Sequence, residues 1–277
     1  MAISKAQKAA YNDDIRTIKI KADEFEKKAK NLYNKKKNNH NLEPYYNLEI
    51  ITYLMNTIEL YLKMNDLSVN MLGIKNNKSL DMSKSNFSKI LLLFKETVGD
   101  EVERDSLKEN EDYLQRIDKI NPRQILDLLI RLDTIFSNLR SKMGEESKWK
   151  WLFVELQAKL AVITRNCINF SDILKYRDPR EQFFRDRNEH LRMAKNALEE
   201  AAKQYRTKYE LSAKSREDLK KSIEMLEALR KIHFTLGESS EADQIKTTID
   251  AAKFTLEASD KKSEKDEKNK PKGSGKK

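Results

Sequence analysis

One short segment of the sequence holds residue types that could carry out acid–base chemistry on a phosphodiester. Residues 185–190 read Arg-Asp-Arg-Asn-Glu-His, which places Arg185 five positions before His190. A histidine can accept and return a proton near neutral pH, and a guanidinium can stabilise the charge that develops on phosphate oxygens during reaction. Arg185 and His190 are therefore the candidate catalytic pair.

The same segment resembles the Arg-polar-x-x-x-His motif of HEPN-type helical ribonucleases. The resemblance implies a dimerising helical bundle in which Arg185 and His190 act without a metal, activating a ribose 2′-hydroxyl and stabilising the phosphate. Leu191 follows the histidine here, where that family often has a small residue. The alternative interpretation is a solvated, charged first helical turn in which Asp186 and His190 form an i,i+4 pair.

Other sequence signatures of catalysis or cofactor binding are missing. The six glycines form no phosphate-binding loop, and neither Cys-x-x-Cys nor His-Glu-x-x-His spacing occurs. Cys167 lies in an apolar stripe, where burial raises the pKa of a thiol, so we expect it to fill the core rather than act as a nucleophile. The sequence predicts no metal and no cofactor.

The net charge of +10 is located at the two ends of the chain. Residues 1–40 hold eleven Lys or Arg against five acids, residues 260–277 hold eight Lys against four acids, and the intervening body is balanced. Lysine clusters attract phosphates without reading sequence, which predicts weak, non-specific contact with nucleic acid or another anionic surface. The alternative is that these charges serve solubility and the helix dipole. The candidate contacts in the first helix are Lys27, Lys28, Lys30, Lys35, Lys36 and Lys37.

The first helix also carries a heptad seam, in which apolar side chains recur at alternating spacings of three and four. Such a seam, flanked by Lys and Glu, can bind a protein partner or a second copy of the chain, or it can pack on the body of its own chain. Both interpretations stay open at this point. The seam consists of Ile15, Ile18, Ala22, Phe25, Ala29 and Leu32.

The composition favours an all-α fold. Six glycines and four prolines leave few tight turns, while charged residues make up 36% of the chain and apolar residues recur with helical periodicity. We predict an antiparallel bundle of seven to eight helices with coiled-coil-like seams and a disordered basic C-terminal tail. No apolar run reaches the length of a membrane span, no secretory signal is recognised and one cysteine requires no oxidising compartment, so we expect a cytoplasmic protein.

Breaks in the helical pattern divide the chain into segments. We expect a loop from Asn65 to Asp81 and a charged helix around Ser106 to Lys119. Four segments are predicted: a basic heptad helix over residues 1–40, a helical bundle core over 41–177, a charged three-helix segment over 178–258 and a disordered Lys-rich tail over 259–277.

Two local patterns predict helix starts. Asn121 followed by Pro122 combines a capping side chain with a proline at the first helical position. Ser215, three residues before Asp218, resembles a capping box with Asp in place of the usual Glu. Both lie directly before apolar stripes, which strengthens the prediction.

These features favour a non-enzymatic scaffold or adaptor that acts through protein–protein contacts within a cytoplasmic complex. The first helix and the three C-terminal helices are the expected docking surfaces. The alternative is a nucleic-acid-associated protein, including a metal-independent ribonuclease that uses Arg185 and His190.

Overall fold

The protein folds entirely as helices in the part of the chain that the computed structural model describes, which is residues 4–102 and 110–268. This confirms the predicted all-α bundle. None of these helices is both long and apolar enough to cross a membrane. A 3₁₀ turn spans His40–Leu42, and the α-helices are α1 (Lys5–Lys36), α2 (Glu43–Leu72), α3 (Asn77–Val98), α4 (Glu111–Gln115), α5 (Pro122–Met143), α6 (Lys150–Asn166), α7 (Phe170–Lys175), α8 (Phe184–Leu211), α9 (Arg216–Leu236) and α10 (Ser239–Lys268).

The chain divides into two compact units, Met1–Ala197 (unit 1) and Leu198–Lys277 (unit 2). The division falls within α8, about twenty residues after the break at Asp178 that the sequence suggested. Unit 2 holds the end of α8 together with α9 and α10.

The loop predicted from Asn65 to Asp81 is wrong, because helix covers most of it. α2 ends only at Gly73, whose φ of 68° is the left-handed conformation that glycine adopts without strain. Four residues later α3 begins, with the Asn76 side chain accepting a hydrogen bond from the Ser79 amide at 3.1 Å. Asn65 lies inside α2 and accepts a hydrogen bond from the Asn76 amide at 3.0 Å, which holds the turn closed.

The C-terminal tail and the predicted charged helix around Ser106 to Lys119 also differ from expectation. α10 continues through residues 259–268, which the sequence assigned to the disordered tail; Lys and Glu are strong helix formers and extend a helix that is already nucleated. Residues 269–277 of that tail lie outside the described residues, as do residues 103–109 of the predicted charged helix around Ser106 to Lys119. The described remainder of that helix forms only the short α4.

Unit 1 is built around α2, with α1 and α3 packed antiparallel to it. Tyr61 of α2 donates a hydrogen bond to Glu26 of α1 at 2.7 Å, and Asn47 of α2 donates to Thr97 of α3 at 3.2 Å. Three aromatic rings then join α3, α5 and α6, since Phe136 lies 5.2 Å from Phe87 and 5.9 Å from Phe153 between ring centroids.

A buried arginine ties the end of α6 to the segment that leaves α3. Arg165 is 2% exposed, and its guanidinium donates to the carbonyl oxygens of Glu101 at 2.6 Å and Val102 at 2.8 Å. Asn166 accepts from the same guanidinium at 2.7 Å and donates its own amide to the Gly99 carbonyl at 3.0 Å. These bonds satisfy three backbone carbonyls of the segment that follows α3, with the Gly99 carbonyl in a buried hydrogen bond and the Glu101 and Val102 carbonyls in partly buried ones.

We expect Arg165→Ala to lower the free energy of unfolding of unit 1 by about 3 kcal/mol, because it removes charge-assisted hydrogen bonds to two backbone carbonyls together with a fully packed side chain. Urea denaturation followed by tryptophan fluorescence measures this directly, since Trp149 and Trp151, the two tryptophans of the chain, both lie in unit 1. Lys159→Ala on the exposed side of α6 is the matched control. Equal stability of the two variants would contradict the role given to Arg165.

Candidate docking groove

Unit 2 is held together by polar contacts between α8 and α9 and between α9 and α10. Ser222 of α9 donates to the Ala202 carbonyl of α8 at 2.8 Å, and the Lys208 ammonium lies 2.9 Å from the largely buried Asp218 carboxylate. Lys253 of α10 pairs with Glu227 of α9 at 2.7 Å. These contacts run along antiparallel neighbours and place α9 against both of the other helices.

The predicted capping box at Ser215 does not form, because Asp218 has this other partner. The Ser215 side chain makes no capping hydrogen bond, whereas Asn121 caps α5 as predicted and also forms a reciprocal capping box with Gln124, at 2.9 and 3.0 Å. The Asp218 backbone N–H donates to the Ser215 carbonyl at 3.0 Å instead of to the Ser215 hydroxyl.

The three helices of unit 2 line an open groove of about 400 Å³. Leu229 and Ala252 are buried in it, and Leu226 and Ile245 are half-buried, so apolar side chains form much of its surface. Polar and charged side chains complete the lining. The residues are Glu199, Ala202, Lys203 and Arg206 of α8, Ser222, Leu226, Leu229 and His233 of α9, and Glu241, Gln244, Ile245, Thr248 and Ala252 of α10.

The spacing of these residues is that of a helix-packing seam. The α9 positions 222, 226, 229 and 233 and the α10 positions 241, 245, 248 and 252 both advance by four, three and four. The α8 positions 199, 202 or 203, and 206 follow the same rhythm. Heptad spacing of this kind is typical of surfaces on which a further helix can pack.

Comparison with known proteins matches residues 7–260 of the 277-residue sequence to the TP0443 family. The chain belongs to the TP0443 family. The match spans both units. No curated protein and no solved structure matches the chain.

In this TP0443-family chain the candidate catalytic pair does not come together. Arg185 is exposed on α8, whereas His190 is 5% exposed, and its Nε2 lies 2.8 Å from the Thr164 carbonyl oxygen. Asp186 pairs with Arg123 of α5 at 3.0 Å, so the expected Asp186–His190 pair does not form either.

His190 is held neutral by its surroundings. Burial lowers the pKa of its imidazole to about 4, against the opposing hydrogen bond to the Thr164 carbonyl. A carbonyl oxygen only accepts, so Nε2 carries the proton and donates it to Thr164. The ring is neutral at pH 7 and its Nε2 is already engaged, and this geometry does not favour the proton transfer that the ribonuclease alternative requires.

His190 instead borders a cleft of about 610 Å³ in unit 1, beside Arg187 rather than Arg185. The Arg187 guanidinium lies 5.0 Å from the Tyr176 ring centroid and donates to the Gln182 carbonyl at 2.8 Å. Cys167 also lines this cleft. Burial raises the pKa of its thiol to about 12, in keeping with the expectation that it fills the core.

The seam of α1 packs within its own chain. Ala22, Ala29 and Leu32 are buried, and Ile15, Ile18 and Phe25 are half-buried. Ala22 packs in one cluster with Tyr61 and Met64 of α2, and Phe25 stacks on Tyr53 with ring centroids 6.0 Å apart. These six residues therefore pack on the body of their own chain, which was one of the two interpretations of the seam.

The lysines of α1 do not form one basic face. Lys36 is bound by Glu96 of α3 and lies 3.2 Å from Glu43, and Lys28 lies over the Phe25 and Tyr53 rings. Lys27, Lys30, Lys35 and Lys37 are exposed. A helix turns about 100° per residue, so Lys30 and Lys37 point away from Lys35. Exposed charge remains, but it is spread around the helix.

The described residues contain no cluster of His, Cys, Asp or Glu able to hold a metal ion.

The groove of unit 2 was only partly predictable. The three C-terminal helices were expected to be docking surfaces, but their obvious apolar stripes are spent on packing one another, with Leu219, Ile223 and Ile249 in the shared cluster. The groove-lining residues of α10 include Glu241, Ile245, Thr248 and Ala252, and two of them, Ile245 and Ala252, also belong to the cluster that packs on α9.

We expect the stability of unit 1 to fall by about 2 kcal/mol between pH 7 and pH 5 through His190 alone, because the unfolded ring binds a proton with a pKa near 6.5 while the buried ring stays neutral until about 4. The stability contributed by burying the neutral His190 ring is fully present above the pKa of the unfolded state, about 6.5, and is lost as the pH falls from there toward about 4.

His190→Gln, whose amide can still donate to Thr164, should remove this part of the pH dependence in urea denaturation at the two pH values. His40→Gln, at an exposed position, is the control and should retain it. An unchanged pH dependence in His190→Gln would show that the imidazole is not buried.

Proposed function

We propose that the protein is a non-enzymatic helical scaffold or adaptor and that the groove of unit 2 binds an amphipathic helix of a partner protein. The observation that supports this is the convergence of three heptad-spaced seams on one open, partly apolar groove. Helices of a bundle bury their apolar stripes against one another, so a groove lined on three sides by such stripes is complementary to a fourth.

The dimensions of the groove define the length of the docking helix. The seams on α9 and α10 each extend over eleven residue steps, which is about 16 Å at ~1.5 Å per residue. A partner helix of about three turns would fill it, with apolar residues spaced by three and four facing Leu226, Leu229 and Ile245.

The charges on the two sides of the groove indicate the orientation of the partner. On the α8 side Lys203 pairs with Glu199 at 2.8 Å and Arg206 pairs with Glu210 at 3.0 Å, while the α10 side offers Glu241 with the neutral Gln244 and Thr248. A partner helix with basic residues along the flank that faces α10 would complement Glu241.

Two further aromatic side chains support a role for unit 2 in contacts. Phe254 of α10 is 74% exposed and Phe234 of α9 is 72% exposed, and neither lines the groove. Large exposed aromatic rings are typical of protein–protein contact surfaces.

We place the assembly in the cytoplasm, since the chain has a single cysteine and that cysteine is buried.

Site-specific photo-crosslinking in the native cell tests this proposal. A benzophenone amino acid at Thr248, which lines the groove, should yield a covalent adduct with one partner protein, and mass spectrometry should locate it on a segment with apolar spacing of three and four. The same probe at Asp250, exposed on α10 outside the groove, is the matched control.

The result is checked by Thr248→Arg, which fills the groove without altering its buried floor and should weaken capture of that partner at least about tenfold, or 1.4 kcal/mol. Leu211→Ser removes an exposed apolar residue elsewhere in unit 2 and should leave capture unchanged. Identical adducts at Thr248 and Asp250, adducts only with a second copy of the chain, or partners lost on nuclease treatment would each overturn the proposal.

A further inference from the structure

A second groove, of about 420 Å³, lies within unit 1 between α5, α6 and the start of α8. As in the docking groove, polar residues are set among apolar ones. Asp133, Thr134 and Gln157 line it, together with Leu160 and Met193.

Asp133 is half-buried in this groove with no cation beside it. Burial alone raises the pKa of its carboxyl, and within the described part of the chain this side chain makes no hydrogen bond or ion pair. Other acids that α5 meets are paired: Arg131 of α5 donates twice to Glu59, at 2.8 and 2.7 Å, and Arg123 binds Asp186.

Gln157 is the second unpartnered group. It is only 9% exposed, and across the described residues its side-chain amide has no hydrogen-bond partner. The amide is not sealed from solvent, so its oxygen can accept a hydrogen bond from a ligand in the groove.

Thr134 adds an acceptor to the same groove. Its hydroxyl donates to the Ile130 carbonyl at 2.9 Å, so its oxygen is left with lone pairs to accept. The groove therefore offers a carboxylate, an amide oxygen and a hydroxyl oxygen, which matches in number the three N–H donors of a primary ammonium group.

We propose that this groove binds a primary ammonium group on an aliphatic stem, with Asp133 pairing the charge and Gln157 and Thr134 accepting its remaining hydrogens. Leu160 and Met193 contact the stem. Glu189 and Arg192 of α8, whose charged atoms lie 3.8 Å apart, flank the site and contribute no net charge. A free diamine and a lysine side chain of another protein both carry this chemistry.

The two sources are distinguished by two probes, 1,4-diaminobutane and Nα-acetyl-lysine methylamide, with 1,4-butanediol as the uncharged control. Titration of the full-length protein is followed by NMR through the Gln157 side-chain amide and the Asp133 carboxyl carbon. At about 10 mM, where a site with a Kd near 1 mM is mostly filled, an ammonium probe should shift both signals and lower the pKa of Asp133. Preference for the diamine identifies a small-molecule site, and preference for the lysine analogue identifies a side-chain site.

Asp133→Asn keeps the shape of the groove and should weaken binding of either ammonium probe at least about tenfold. Asp127→Asn, on the exposed side of α5 and paired with Arg123 in the native chain, is the matched control and should bind normally. The proposal is overturned if neither ammonium probe shifts the Gln157 and Asp133 signals, if butanediol shifts them equally, or if Asp133→Asn binds as tightly as the native protein. These outcomes are independent of the docking groove, which lies in the other unit.

Discussion

A charged guanidinium cannot be buried without hydrogen-bond partners, and Arg165 meets this requirement with the backbone of the segment that leaves α3. Because those carbonyls must reach Arg165, the segment is drawn onto the C-terminal end of α6. Asn166 reinforces the contact through Gly99. The same two helices, α3 and α6, are also joined through α5, whose Phe136 lies between a ring of each.

The two units use polar residues in different ways. In unit 1, Arg131 of α5 pairs with Glu59 of α2, whereas the half-buried Asp133 carboxylate of α5 has no ion-pair partner within the described residues. Unit 2 has fewer helices, and three of them cannot close a bundle around every apolar stripe they carry. The result is a groove whose geometry suits a further helix. The two proposals therefore rest on separate features of the molecule.

Much of the local structure was predictable, and the failures have a common cause. Asn121 forms its capping box because both partners lie three residues apart in the chain. Ser215 does not, because Asp218 is drawn to Lys208 of a different helix. The candidate catalytic pair also fails because of contacts that the local sequence does not show. Arg185 and His190 are five residues apart on a helix, so they point in different directions, and burial then removes the basicity that the imidazole would need.

The helical class, the positions of most helix ends and the seams of α1 and α9 follow from the sequence alone, because helical periodicity, capping residues and glycines act over a few neighbouring residues. Which seams are covered by another helix follows only from the packing of the folded chain. The α1 seam is covered by α2, while the mixed stripe of Glu241, Ile245, Thr248 and Ala252 on α10 faces an open groove. Whether a seam is covered or open depends on which helices pack against each other. The pattern of apolar residues along one helix does not identify the helices that pack on it.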